Sequence, residues 1–115
     1  MRHESVGPLF INVKISHGNT VQALLDTGSD FTLLDKAHLP FTDKNISPTT
    51  TTLQTANGTP LKVLGKTVLS CCIGNQPHNI PVLVIDKLLH PMILGGDFFV
   101  RNRIIIDYSS MTLKL

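Results

Sequence analysis

The stretch Ala23-Leu24-Leu25-Asp26-Thr27-Gly28-Ser29 carries a carboxylate directly out of an apolar run into a short polar loop. A half-sheltered carboxylate of this kind is a candidate general acid or base, because it can take up or release a proton beside a bound substrate. The plain alternative is a turn in which Asp26 caps its own loop, and the tripeptide Asp-Thr-Gly alone favours that alternative. Other residue types with chemistry to offer are dispersed. The five His residues share no helix or hairpin spacing with a carboxylate or thiol, which argues against a zinc site, and no cofactor is expected. Cys71 and Cys72, the only cysteines, are adjacent, a spacing that strains any bridge between them. They read as reduced thiols in a reducing compartment, with a redox dithiol as the alternative. The triplets Asn45-Ile46-Ser47 and Asn57-Gly58-Thr59 fit the glycosylation pattern but are taken as chance matches.

The chain that must position these groups is small. Its 115 residues and 12.6 kDa allow one compact domain with a modest core. An apolar fraction of 42% against 16% charged residues is that of a globular protein. A net charge of +2, with Lys and Arg scattered along the chain, gives no basis for nucleic-acid binding. Apolar runs such as Val82-Leu83-Val84-Ile85 fall far short of a membrane-spanning helix, and residues 1–8 lack the apolar centre of a secretory signal. The expectation is a soluble protein with no membrane partner. Residues 1–8 read as an N-terminal extension and 9–115 as the domain.

Val, Ile and Thr far outnumber Ala, which favours strands, so the fold class is all-β. Alternation over Leu9 to Ile15, a His17-Gly18-Asn19 turn and Thr20 to Leu25 predict a hairpin that delivers Asp26. Phe31 to Leu34 resumes an apolar strand, and Asp35 to Leu39 predicts one helical turn before Pro40. Thr50 to Ala56 and Thr59 to Leu64 flank Asn57-Gly58, a signal for a type I′ hairpin turn. Val68 to Ile73 and Ile80 to Ile85 flank Gly74-Asn75-Gln76-Pro77 as a third strand pair, with Pro81 near an edge or irregular position. Pro91 to Phe99 predicts a buried strand that breaks at Gly95-Gly96 and enters a short helix near 97–102. Arg103 to Tyr108 and Met111 to Leu115 predict a terminal hairpin. A weak internal echo links Ala23 to Gly28 with Pro91 to Gly96, since both carry an apolar strand into a glycine turn.

Leu24-Leu25-Asp26-Thr27-Gly28-Ser29, the Ala56-Asn57-Gly58-Thr59 hairpin tip and Ile93-Leu94-Gly95-Gly96-Asp97-Phe98-Phe99 followed by Ile104-Ile105-Ile106-Asp107-Tyr108 together resemble the retroviral-type (retropepsin-like) aspartic proteases. The resemblance spans roughly Leu9 to Leu115 and looks most like the proteases of LTR retrotransposons and related retroelements. It implies a single-lobe closed barrel with a flap hairpin. Because the chain has one Asp-Thr-Gly and no second copy, it also implies a homodimer in which Asp26 from each subunit meets at a twofold axis.

By that resemblance Asp26 is catalytic, Thr27 bonds across the axis, Gly28 accepts substrate backbone, and Ser29 stands beside the carboxylate and tunes it. Asp30 matches a position that binds substrate main chain and, in viral members, pairs with an arginine after the late glycine. Gly96 stands there instead, which leaves Asp30 to backbone donors or to Arg101 or Arg103. Phe31 walls a subsite. Ala56, Asn57 and Gly58 form a flap tip over extended peptide, stiffer or shorter than the glycine-richer viral flaps. Ile93, Leu94, Leu33 and Val82 to Ile85 are candidates for both apolar pocket walls and core. The terminal hairpin is assigned to a dimer sheet.

The expected function is an aspartic endopeptidase that processes a retroelement Gag-Pol polyprotein, in the cytoplasm or within virus-like particles, with itself and a peptide substrate as partners. The alternatives are a regulated cellular protease of the same type and a catalytically silent domain that only dimerises or binds peptide.

Overall fold

The computed structural model describes residues 9–40, 46–55, 57–110 and 112–114. The expected flap-tip residue Ala56, the extension 1–8 and the ends of the last predicted strand, Met111 and Leu115, lie outside that set.

Alternation in the first predicted hairpin becomes β1 (Phe10–Ile15) and β2 (Thr20–Leu25), paired antiparallel from Phe10/Leu24 to Lys14/Thr20. Val13, Ile15, Val21 and Ala23 point inward and are buried, while Asn12, Lys14 and Gln22 face out. β3 (Leu33–Asp35) is shorter than the sequence implies, because Phe31 and Thr32 belong to the loop before it. A single 3-10 turn, Lys36–His38, follows, capped by the Asp35 carboxylate on Ala37 N at 2.9 Å.

β6 (Val63–Ile73) and β7 (Gln76–Ile85) form a hairpin longer than predicted, closed by the two-residue turn Gly74-Asn75 in which Gly74 takes a φ of 61°. The sequence alone assigns Gln76 and Pro77 to the turn and starts the strand only at Ile80. Pro77 and Pro81 lie opposite Cys72 and Val68. Counted from the Ile73/Gln76 pair beside the turn, the antiparallel alternation puts both prolines where an N–H would point away from β6. On its other side β7 meets β3 only from Leu83 onward, so no bond is lost.

β8 (Met92–Leu94) leads into α1 (Gly96–Asn102), which ends at Arg103 in a left-handed conformation with φ 52°. The strand order β1-β2-β8-β3-β7-β6 closes into a barrel, with β2/β8 and β3/β7 parallel and the other contacts antiparallel. Phe98 and Phe99 of α1 join the buried core, each contributing about 1.5–3 kcal/mol by burial. The register β2/β8 is Ala23/Met92, Leu24/Ile93 and Leu25/Leu94. The sequence echo therefore has a structural meaning: its two members are neighbouring strands whose glycine turns emerge side by side.

Two small sheets stand apart from the barrel. β4 (Leu53–Gln54) and β5 (Pro60–Leu61) make the projecting hairpin. β9 (Ile105–Asp107) and β10 (Thr112–Lys114) make the terminal one, which leaves Ile105 and Tyr108 more than half exposed.

Candidate active site

Asp26 is the first residue beyond β2. Its backbone N–H donates to Leu94 O at 3.0 Å, so β8 fixes the point where the loop leaves the sheet. The half-buried carboxylate accepts a bond from Gly28 N on Oδ1 at 3.0 Å, and Ser29 N donates to Asp26 O at 3.1 Å. A Cβ on Gly28 would stand 3.3 Å from Asp26 Oδ1. A side chain at this position would crowd the carboxylate. Left-handed glycine backbone occurs elsewhere, at Gly58, Gly65 and Gly74 among the described residues.

The loop is gripped by the turn that follows β8. Gly96 N donates to Ser29 O at 2.6 Å and Asp97 N to Asp30 O at 3.3 Å. Gly95 packs so tightly against the loop that a Cβ would sit 2.3 Å from Phe31 O and 2.7 Å from Ser29 O, both backbone atoms. At the centre of the grip is Thr32, fully buried. Its hydroxyl donates to Asp97 Oδ1 at 2.8 Å and accepts from Gly95 N at 3.1 Å, while its N–H donates to Asp97 Oδ2 at 3.2 Å. Asp97 Oδ1 also receives Phe98 N at 2.8 Å. Sequence reading had not singled out Thr32 or the side chain of Asp97. The available signals were a lone hydroxyl beside an apolar strand and an acid in the first turn after a Gly-Gly break.

The remaining expected residues sort as follows. Thr27 is exposed and its hydroxyl has no partner within the described residues. The Ser29 hydroxyl donates to Phe31 O at 2.8 Å and so braces the loop. Asp30 is exposed, and among the described residues its carboxylate has neither a backbone donor nor Arg101 or Arg103 as a partner. Phe31 is 39% exposed and lines the large groove beside the loop. Asn57 and Gly58 form an exposed tip, as expected, but the turn differs. Thr55 N donates to Thr59 O at 2.8 Å and Gly58 N to Thr55 O at 2.9 Å, which encloses a three-residue loop with Gly58 at φ 84°. That is the bulged alternative to a two-residue type I′ turn.

The candidate pocket walls separate by strand face. Leu94, Val82 and Val84 belong to the barrel core. Leu33, Leu83 and Ile85 form a second cluster with Ile93, which also takes in Leu53 and Leu61 from the projecting hairpin, and Val63 and Leu88. The hairpin base is therefore seated on residues next to the Asp26 loop. Asp35 fastens a neighbouring loop: its Oδ2 accepts Leu88 N at 2.8 Å, and its own N–H donates to Pro91 O at 3.0 Å. Lys36 and Asp86 pair across the same junction at 2.7 Å. The thiols lie on opposite faces of β6, with Cys71 buried and Cys72 half-buried, both free. Burial pushes the Cys71 thiol up to about 11, with Cys72 adding to the shift.

Among the described residues no cluster of three or more His, Cys, Asp or Glu is placed to hold a metal ion, and no helix is long and apolar enough to cross a membrane. The aspartyl protease family matches residues 11–98, most of the chain and all of the loop-and-grip arrangement. The chain belongs to that family. No curated protein matches it in sequence. Among solved structures, this aspartyl protease chain is similar to the retroviral protease-like domain of Ddi1 from Leishmania major. That match has 16% identity and a TM-score of 0.73, covering 99% of this chain and 88% of the other. It is also similar to the EIAV protease complexed with the inhibitor HBY-793, at 21% identity and a TM-score of 0.65, covering 90% of this chain and 95% of the other. At these identities the likeness establishes a retropepsin-like fold, in agreement with the closed barrel and short helix expected from the sequence.

Proposed function

We propose that the chain is an aspartic endopeptidase that works as a homodimer, with Asp26 of each subunit flanking one water molecule. The observation that carries this reading is the Asp26 loop: a half-buried carboxylate, held by Gly28 N at 3.0 Å and fixed from behind by the Gly95–Asp97 turn. Two such carboxylates side by side share one proton, because like charges at short range resist joint ionisation. The ionised one takes a proton from water as its oxygen attacks the peptide carbonyl. The protonated one gives its proton to the carbonyl oxygen. The tetrahedral intermediate then collapses as the leaving nitrogen is protonated, and the shared proton is restored.

Twofold assembly is supported by two features that the single chain leaves unused. Thr27 offers a hydroxyl without a partner among the described residues, and the detached β9/β10 sheet exposes Ile105 and Tyr108. The substrate would lie extended beneath the β4/β5 hairpin, whose closure excludes water.

A polyprotein of a retroelement is the first substrate assignment, in the cytoplasm or in virus-like particles, on the strength of the motif combination. The greater TM-score of the Ddi1 domain supports a second reading, a cellular protease. Peptide cleavage by wild type and Asp26→Asn, with and without pepstatin, alongside sedimentation at several concentrations, tests the proposal. Cleavage that survives in Asp26→Asn sinks the mechanism, and activity proportional to a monomeric species sinks the dimer. Cleavage of a retroelement polyprotein at defined junctions separates the first substrate assignment from the second.

A further inference from the structure

Beside the catalytic loop runs a groove of about 890 Å³ that the carboxylate chemistry does not itself require. Its floor is the outer face of the β6/β7 hairpin, made by the cross-strand pairs Lys66/Leu83 and Val68/Pro81. One wall is Phe31 of the loop that carries Asp26, and the far end is the β1–β2 turn at His17. Val68 is 56% exposed and Phe31 39%, so a string of apolar surface leads away from the active loop.

Two properties make this more than a surface hollow. First, it is in register with the chemistry. Phe31 is tied to the catalytic loop by Ser29 Oγ at 2.8 Å, and the adjoining Thr32 is locked to Asp97. A chain lying in the groove is thereby held at a fixed offset from Asp26. Second, it offers a cation to a ligand. The titratable residues lining it are Lys66, His17 and Asp97. Both Asp97 oxygens are occupied by Thr32 and Phe98 donors, whereas Lys66 has no ion pair among the described residues.

We propose that this groove holds the segment of the peptide substrate beyond the residues flanking the scissile bond, with an apolar side chain over Val68 and Pro81 and an acidic residue at Lys66. The proposal rests on the endopeptidase reading and sharpens its substrate class to long chains with an acidic, apolar distal segment. An extended peptide advances about 3.3 Å per residue, so a groove that adjoins the loop captures residues that a short substrate does not possess.

The test compares a peptide of about six residues with one of about fourteen that share a scissile bond, the longer one made with either acidic or basic distal residues. Lys66 is a suitable probe because its bridge to Ser47 is made by backbone atoms, so Lys66→Glu leaves that contact in place. In wild type the acidic long peptide should exceed the short one in kcat/KM by about tenfold, from apolar contact and one ion pair together. In Lys66→Glu the preference should reverse, with the basic long peptide favoured over the acidic one by about fivefold. Anisotropy of the same labelled peptides on Asp26→Asn should give the same order of binding. Long-to-short and acidic-to-basic ratios that are identical in wild type and Lys66→Glu overturn the groove while leaving the endopeptidase standing. Failure of wild type to cleave any of the peptides, with no binding to Asp26→Asn, overturns both.

Discussion

Replacing Thr32 by Val removes a single buried oxygen and nearly preserves shape, so its effect isolates the bonds that join the Asp26 loop to the turn after β8. Two bonds vanish: the hydroxyl to Asp97 Oδ1 at 2.8 Å and Gly95 N to the hydroxyl at 3.1 Å. The first ends on a carboxylate and is worth about 1.5–3 kcal/mol, and the second leaves a buried N–H without a partner at about 1–3 kcal/mol. The added methyl returns roughly 1 kcal/mol of burial. The net loss is about 3 kcal/mol, a large share of the roughly 5–15 kcal/mol that holds a domain of this kind together. At roughly 4 °C per kcal/mol, Tm should fall by about 12 °C.

Urea denaturation followed by circular dichroism reads this directly. It must be run at one chain concentration, because under the proposed self-association stability would depend on it. Asp97→Asn should cost less, about 1–2 kcal/mol, since its amide keeps one acceptor oxygen. The double variant should show coupling of about 1–2 kcal/mol with Thr32→Val. A Thr32→Val protein within about 0.5 kcal/mol of wild type, with no coupling to Asp97, would refute the idea that this buried node organises the loop.

Gly95→Ala should be more severe, because the added Cβ meets Phe31 O at 2.3 Å and Ser29 O at 2.7 Å; we expect a loss of at least about 3 kcal/mol or no soluble protein, against a milder Gly96→Ala. A thiol reagent at pH 8 should titrate Cys72 in the native protein and both thiols only after denaturation. Burial and a pKa of about 11 keep the Cys71 thiolate near a thousandth of the population. Lys36 holds the Asp86 carboxyl below its ordinary range. The contribution of that pair is therefore present above the unfolded-state carboxylate pKa and fades as pH falls through the lower folded-state value. The stability difference between wild type and Asp86→Asn should shrink along that acid limb, and a difference constant from pH 6 downward would contradict it.

The sequence made the local devices readable. Alternation in β1 and β2 announced a hairpin and delivered Asp26 to its end, and the Gly95-Gly96 break announced a strand giving way to a helix. What could not be read depends on partners distant in the chain. Thr32 and Asp97 are 65 positions apart, and nothing in either neighbourhood indicates that one satisfies the other. Asn-Gly suits both a two-residue and a bulged three-residue turn, and the choice came from the Thr55/Thr59 closing pair. Pro77 reads as part of the turn because its harmlessness within β7 rests on which side of that strand has a neighbour. Ile93 and Leu94 are adjacent apolar residues of identical outward promise, and the pleat sends one to each cluster.

The lock between Thr32 and Asp97 also sets an order in time. A nascent chain emerging at about 5–20 residues per second exposes the Asp26 loop several seconds before the turn that completes it. During that interval the loop lacks Leu94, Gly95, Gly96 and Asp97, the residues that orient it. Parallel pairing of β2 with β8 likewise waits for the late strand, and closing so long a loop is a slow step. The Asp26 loop thus takes its final shape only once most of the domain exists, so on the proposed endopeptidase reading cutting would wait for the late turn.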